Sequence, residues 1–147
     1  MRDRLFIKEA WRESIDNWKS RKLLGIDALE AKDLFLLAVS FGLDKPEDIQ
    51  GKRDGYVRTS YVKTVYEKAL FASILLGKSE NADSIDKYAN DDINFDESER
   101  CAEAGFKALQ ELFVEADNDP VLLEKIALER LRILFQKNVA SKLSLSR

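Results

Sequence analysis

Lys52, Arg53 and Arg58, continued by Lys63 and Lys68, are interleaved with Tyr56 and Tyr61 over one short stretch of this chain. Cations set among aromatic rings can contact phosphates and stack on unpaired bases, so this is the first candidate for a nucleic-acid contact. The stretch from 50 to 68 carries a formal charge of +3. Arg2, Arg4, Lys19, Arg21 and Lys22 extend such a patch if the first helix lies beside it. The bland alternative is a loop kept soluble by its charges, with the tyrosines packed hydroxyl outward. Gly51-Lys-Arg-Asp-Gly55 is no phosphate-binding loop of the nucleotide-hydrolase kind, because it lacks both the Ser or Thr after Lys and a preceding strand.

Other chemistry has little to work with. Histidine is absent from all 147 residues. That removes the side chain most used for proton transfer near neutral pH and the commonest nitrogen ligand for metals. The single cysteine, Cys101, is surrounded by Glu97, Glu99 and Glu103, which oppose thiolate formation, and it reads as a half-buried packing residue. Asp83, Asp86, Asp91, Asp92, Asp96, Glu97 and Glu99 are numerous enough to bind a divalent cation, but the alternating oxygen spacing of a calcium loop is missing. They read as a solvated acidic surface within a segment, 80–119, of charge −10. No catalytic residue, cofactor site or metal site is expected. Trp11 and Trp18 fall seven residues apart on one helical face, which suits one to the core and the other to a partner; Tyr56 and Tyr61 join them as candidate partner anchors.

The elements that position these residues are read from periodicity. A second helix runs from about Ala28 to Phe41, and within Lys32-Asp-Leu-Phe-Leu-Leu-Ala-Val-Ser-Phe-Gly42 it is apolar on every side between Leu34 and Val39, so other helices must surround it. Gly42 suits the left-handed position past its end. Ile7, Trp11, Ile15 and Trp18 mark a first helix over 7–24 that Gly25 stops. A loop over 43–58 follows, with a strand near Tyr56–Tyr61 as the alternative to the helical start there. A third helix starts at Thr59 or Ser60 and ends before Gly77, and a short one spans 83–90. The fifth opens at Asp96, with Glu99 completing a reciprocal cap, and the sixth at Asp119-Pro120. The short link 117–120 makes these two an antiparallel hairpin. The tail, 141–147, is expected to fray.

The expected fold is therefore all-α: a single-domain bundle of five to six helices over 1–147, closed by a C-terminal antiparallel hairpin. One cysteine and the absence of a leader-like segment point to the cytoplasm. No apolar run approaches the ~20 residues that span a bilayer, so no membrane role is expected.

Arg2-x-Arg4 before an apolar pair, the helix Lys32 to Gly42, a Pro- and Gly-containing loop, a helix ending Leu-Leu-Gly77, and Tyr88-Ala-Asn-Asp-Asp-Ile93 occur in that order. Over residues 2–95 this order resembles the small accessory proteins encoded beside bacterial DNA phosphorothioation systems, the Dnd system-associated type. The resemblance implies a role in defence against foreign DNA beside larger motor or nuclease proteins, and it implies no catalytic residues. The resulting expectation is a non-enzymatic helical subunit or adaptor of an antiviral defence assembly, working through protein contacts and compatible with self-association. The alternative is a small subunit that binds DNA or RNA independently of sequence through residues 51–68.

Overall fold

A computed structural model describes residues 3–62, 91–116 and 119–145. In chain order these form β1 (Arg4–Lys8), α1 (Ala10–Ser20), a 3-10 segment (Leu23–Ala28), α2 (Ala31–Phe41), β2 (Arg53–Arg58), a 3-10 turn (Thr59–Val62), α3 (Asp91–Glu115) and α4 (Pro120–Leu145). The expected helices over 59–76 and 83–90 fall, apart from the turn at Thr59–Val62, outside the described residues, as do Lys63 and Lys68.

The centre is the crossing of α2 and α3, the most extensive contact between any two described elements. Leu34, Phe35, Ala38 and Val39 are fully buried, and they meet Cys101, Ala102, Phe106 and Leu109 of α3 in one apolar cluster. The two backbones touch. A Cβ added to Gly105 would collide with the carbonyl of Ala38, and one added to Gly42 would collide with the carbonyl of Cys101 and reach to 2.6 Å from the Gly105 nitrogen. Gly42 is therefore needed for close approach and not for a left-handed turn, since its φ is −106°. The expected central helix is present; the reason for its terminal glycine is different.

The all-α expectation is overturned by a two-stranded antiparallel sheet formed by β1 and β2. Arg4-Leu-Phe-Ile-Lys8 alternates half-buried and buried residues, the period of a strand. Ile7 belongs to that alternation and also stands four residues before Trp11, which is why a helical stripe reaching back to 7 misreads it. The helix proper begins at Ala10 and ends at Ser20, with Lys22 in the left-handed region at φ 55°, so Gly25 is not its stop. β2, Arg53-Asp-Gly-Tyr-Val-Arg58, holds three charges and a glycine and is poor in strand formers. Pairing with β1, more than forty residues earlier, makes it a strand. The strand considered near Tyr56–Tyr61 lies three residues too late.

The acidic loop before β2 is pinned to α3 rather than left free. Asp48 accepts from Arg100 at 2.8 Å, Glu47 pairs with Lys107 at 2.8 Å, and the Glu47 N–H donates to the Arg100 carbonyl at 3.1 Å. The reciprocal cap at Asp96 and Glu99 does not form, because α3 is already under way at Asp91 and both residues lie within it. At α4 the expected cap is present: Asp119 Oδ1 accepts from the N–H groups of Val121 at 3.0 Å and Leu122 at 3.3 Å. Leu123 and Ala127 are buried, and α4 leans on the 3-10 segment as much as on α3. It runs to Leu145, past the expected fraying point at Ser141. No Gly or Pro interrupts 121–145, and Ala140, Lys142 and Leu143 favour helix.

Replacing Gly105 by Ala is expected to cost about 3 kcal/mol or more, because the added methyl meets backbone that cannot give way. Gly25→Ala, at φ +66° with open space around its Cβ, should cost only about 1–2 kcal/mol for the backbone conformation. Urea unfolding of the two variants checks the ranking, and equal losses would rule out the close crossing as the controlling contact.

Candidate functional site

Four cations of the ribbon come together in a way their sequence positions do not announce. Antiparallel pairing sets Arg4 opposite Arg58 and Lys8 opposite Arg53. Residues directly opposite share a face, and Arg4 and Lys8, four apart on one strand, share it too. Arg53 and Arg58 are five apart, an odd spacing that regular alternation would send to opposite faces. A bulge resolves this: between Leu5 and Phe6 the register skips Tyr56, so Leu5 faces Val57 and Phe6 faces Gly55. The extra residue turns inward, Tyr56 being buried, and both arginines emerge on the outer face. Leu5, Ile7 and Val57 fill the inner face.

Not all of the expected basic residues contribute equally. Lys52 pairs with Glu9 at 3.3 Å, and Arg53 borders a recess shared with Asp48, Asp96, Glu99 and Arg100. Arg58 and Arg53 are exposed. Arg12, which the sequence reading did not single out, is the cation committed to the scaffold: it binds Asp54 at 2.7 Å, donates to the Gly55 carbonyl at 2.8 Å and lies 5.0 Å from the Tyr56 ring centre. Arg4 and Lys8, by contrast, belong to the face and were assigned to a patch only conditionally or not at all. Their signal was the alternation of β1.

Of the four aromatic residues considered as partner anchors, only Tyr61 is exposed, at 59%. Trp11 and Trp18 are both buried, so neither is available to a partner. Trp18 meets Phe113 edge to face at 4.8 Å, and Phe106 stacks on both indoles, 5.9 Å from Trp11 and 6.4 Å from Trp18. The seven-residue spacing that suggested a docking stripe instead matches the Phe106–Phe113 spacing of α3. Such pairs add roughly 0.5–1.5 kcal/mol beyond burial.

Beneath the ribbon, α3 presents two buried carboxylates to its neighbours. Glu99 accepts the Phe6 N–H at 2.5 Å, satisfying the edge of β1 that β2 does not cover. Glu103 accepts the Trp11 indole N–H at 2.7 Å. Each is at most 3% exposed. Cys101, between them, is fully buried. Of the acidic residues considered for a cation, Asp83 and Asp86 lie outside the described residues, Asp92 and Asp96 are exposed, and Glu97 pairs with Arg100 at 3.4 Å. Among the described residues no cluster of three carboxylate or thiol ligands is close enough to hold a metal.

The outer surface of α4 differs in kind. Val121, Leu122, Leu128 and Ile133 are 78%, 40%, 61% and 51% exposed. Helical spacing puts Val121 and Leu128 on one line and Leu122 and Ile133 on another, with Lys125, Glu129 and Arg132 between. Leu128 also lines a cleft of about 500 Å³ between α4, α2 and the 3-10 segment, where Leu37, Phe41 and Leu131 contribute apolar wall. No helix among the described residues is long and apolar enough to cross a membrane. No protein-family model, curated protein or solved structure matches this chain.

Trp11→Phe keeps the ring stack and removes the donor to Glu103, leaving a buried carboxylate unsatisfied; a loss of about 2–3 kcal/mol is expected, against less than about 1 kcal/mol for Glu103→Gln, which keeps an acceptor. Denaturant titration of both variants distinguishes the hydrogen bond from simple packing. A second expectation concerns Tyr56, whose hydroxyl is buried with no hydrogen-bond partner among the described residues. Burial pushes its pKa up to about 12, against the opposing pull of the Arg12 charge and with a smaller push from Asp16. A folded pKa above the unfolded value leaves stability intact below pH 10 and drains it as pH rises toward about 12. Tyr56→Phe should abolish that alkaline loss and leave stability at pH 7 equal or higher, as read from melting curves across pH 7–12.

Proposed function

We propose that this chain is a non-enzymatic accessory subunit, or adaptor, of a bacterial cytoplasmic defence complex linked to DNA modification, and that it engages a larger protein through the outer surface of α4. The observation that carries this reading is the pair of apolar lines on that surface, Val121 with Leu128 and Leu122 with Ile133. Apolar side chains at helical spacing, mixed with charges that set register, are what a partner helix or groove recognises.

Two further observations support it. The groups on which catalysis would most readily draw are engaged inside the molecule: Cys101 is fully buried, and Glu99 and Glu103 hold a strand edge and an indole. The resemblance of residues 2–95 to Dnd system-associated accessory proteins supplies the biological setting and the size of the expected partners.

Tagged chain recovered from the native host should bring a larger defence protein with it in stoichiometric amount, identified by mass spectrometry. Leu128→Asp combined with Ile133→Asp should release that partner. Since both positions are exposed, thermal stability should shift by no more than about 0.5 kcal/mol per site. Recovery as a free monomer at every salt concentration would overturn the proposal, as would retention of the partner by the double variant.

A further inference from the structure

We propose that the outer face of the β1–β2 ribbon is a binding site for the phosphate backbone of nucleic acid, formed by Arg4, Arg58, Lys8 and Arg53 and read without regard to base sequence. It is separate from the partner surface of α4 and stands or falls independently of it.

Like charges placed directly opposite on paired strands destabilise a sheet. This ribbon has two such pairs in five residues of β1, Arg4 with Arg58 and Lys8 with Arg53, and no pair of opposite sign between them. None of the four makes an ion pair with a described residue, although acids elsewhere in the fold are taken up by Arg12, Lys52, Arg100 and Lys107. The bulge at Tyr56 makes the repulsion worse, because it is what brings Arg53 and Arg58 onto one face. A fold that accepts this cost gains it back when an anion lies across the ribbon.

The chemistry of the face selects the anion. Three of the four cations are arginines, whose planar forks match phosphate oxygens two at a time. The two pairs stand four residues apart along β1, a separation of about 13 Å, close to the ~12 Å width of the DNA major groove into which a two-stranded ribbon fits. Phe6 and Gly55 lie between the pairs, and the stem of Arg4 lies across Gly55. A duplex backbone, with phosphates repeating on both sides of a groove, satisfies both ends at once. The acids bordering Arg53 compete at one end, so Arg4 and Arg58 carry the larger share.

The test is fluorescence anisotropy of the full chain with a labelled mixed-sequence 20-base-pair DNA duplex between 50 and 200 mM salt. Four phosphate contacts predict that log K falls with log salt at a slope of about −3.6, and removing one pair should reduce the slope by about 1.8. Arg4→Gln with Arg58→Gln should therefore weaken binding at least tenfold at 50 mM salt, and more than Lys8→Gln with Arg53→Gln. The control, Lys45→Gln with Lys125→Gln, removes the same charge elsewhere and should leave binding unchanged. Relief of the cross-strand repulsion should also raise the melting temperature of the Arg4 and Arg58 double variant by about 1–3 °C, which separates loss of a site from loss of fold. No binding at 50 mM salt, equal weakening by the control pair, or binding to anionic phospholipid vesicles with none to duplex would each overturn the proposal.

Discussion

The approach of α2 to α3 at Gly42 and Gly105 is the constraint on which the rest of this structure depends. With no Cβ on either side, two backbones come into contact, and the side chains around them, Phe35, Val39, Phe106 and Leu109, close over the gap with no exposed surface. Interiors packed at this density transmit small changes, since a methyl group has nowhere to go. The crossing also sets where α3 runs, and α3 is the element on which most of the described ones lean. Its Phe106 and Phe113 receive the two indoles of α1, its Arg100 and Lys107 hold the acidic loop, and its Glu99 and Glu103 reach β1 and α1.

Glu99 helps explain how so small a sheet persists. A two-stranded ribbon alone is marginal in water and leaves a row of unpaired backbone groups on each edge. Here the inner face packs Leu5, Ile7 and Val57 against the helices, and a carboxylate from α3 takes up the Phe6 N–H on the uncovered edge of β1. That hydrogen bond, made by a buried side chain of α3, ties the register of the ribbon to the register of α3. Polar residues inside this protein therefore act as joints.

The surface divides accordingly. Acids of the loop before β2 are neutralised by the two cations of the acidic α3, while the ribbon keeps four cations facing outward and α4 keeps apolar residues in water. The charged face and the apolar face thus lie on separate elements. The inside, by contrast, holds Cys101, Glu99 and Glu103.

Residue order by itself determined the apolar α2, the cap at Asp119 and the shared face of Trp11 and Trp18, because each depends on identity and on spacing within a turn or two of helix. It also presented the cations at 52, 53 and 58. Only the tertiary structure decided that 53–58 is a strand, since its composition is indifferent and pairing with a segment far away in the chain supplies the hydrogen bonds. The same pairing, with its bulge at Tyr56, decided that Arg53 and Arg58 share a face with Arg4 and Lys8. Likewise, whether Gly42 served a turn or a contact, and whether Glu99 capped its own helix or a distant strand, depended on what was brought alongside. Local interactions are written in neighbouring residues, whereas long-range neighbours exist only once the chain has closed on itself.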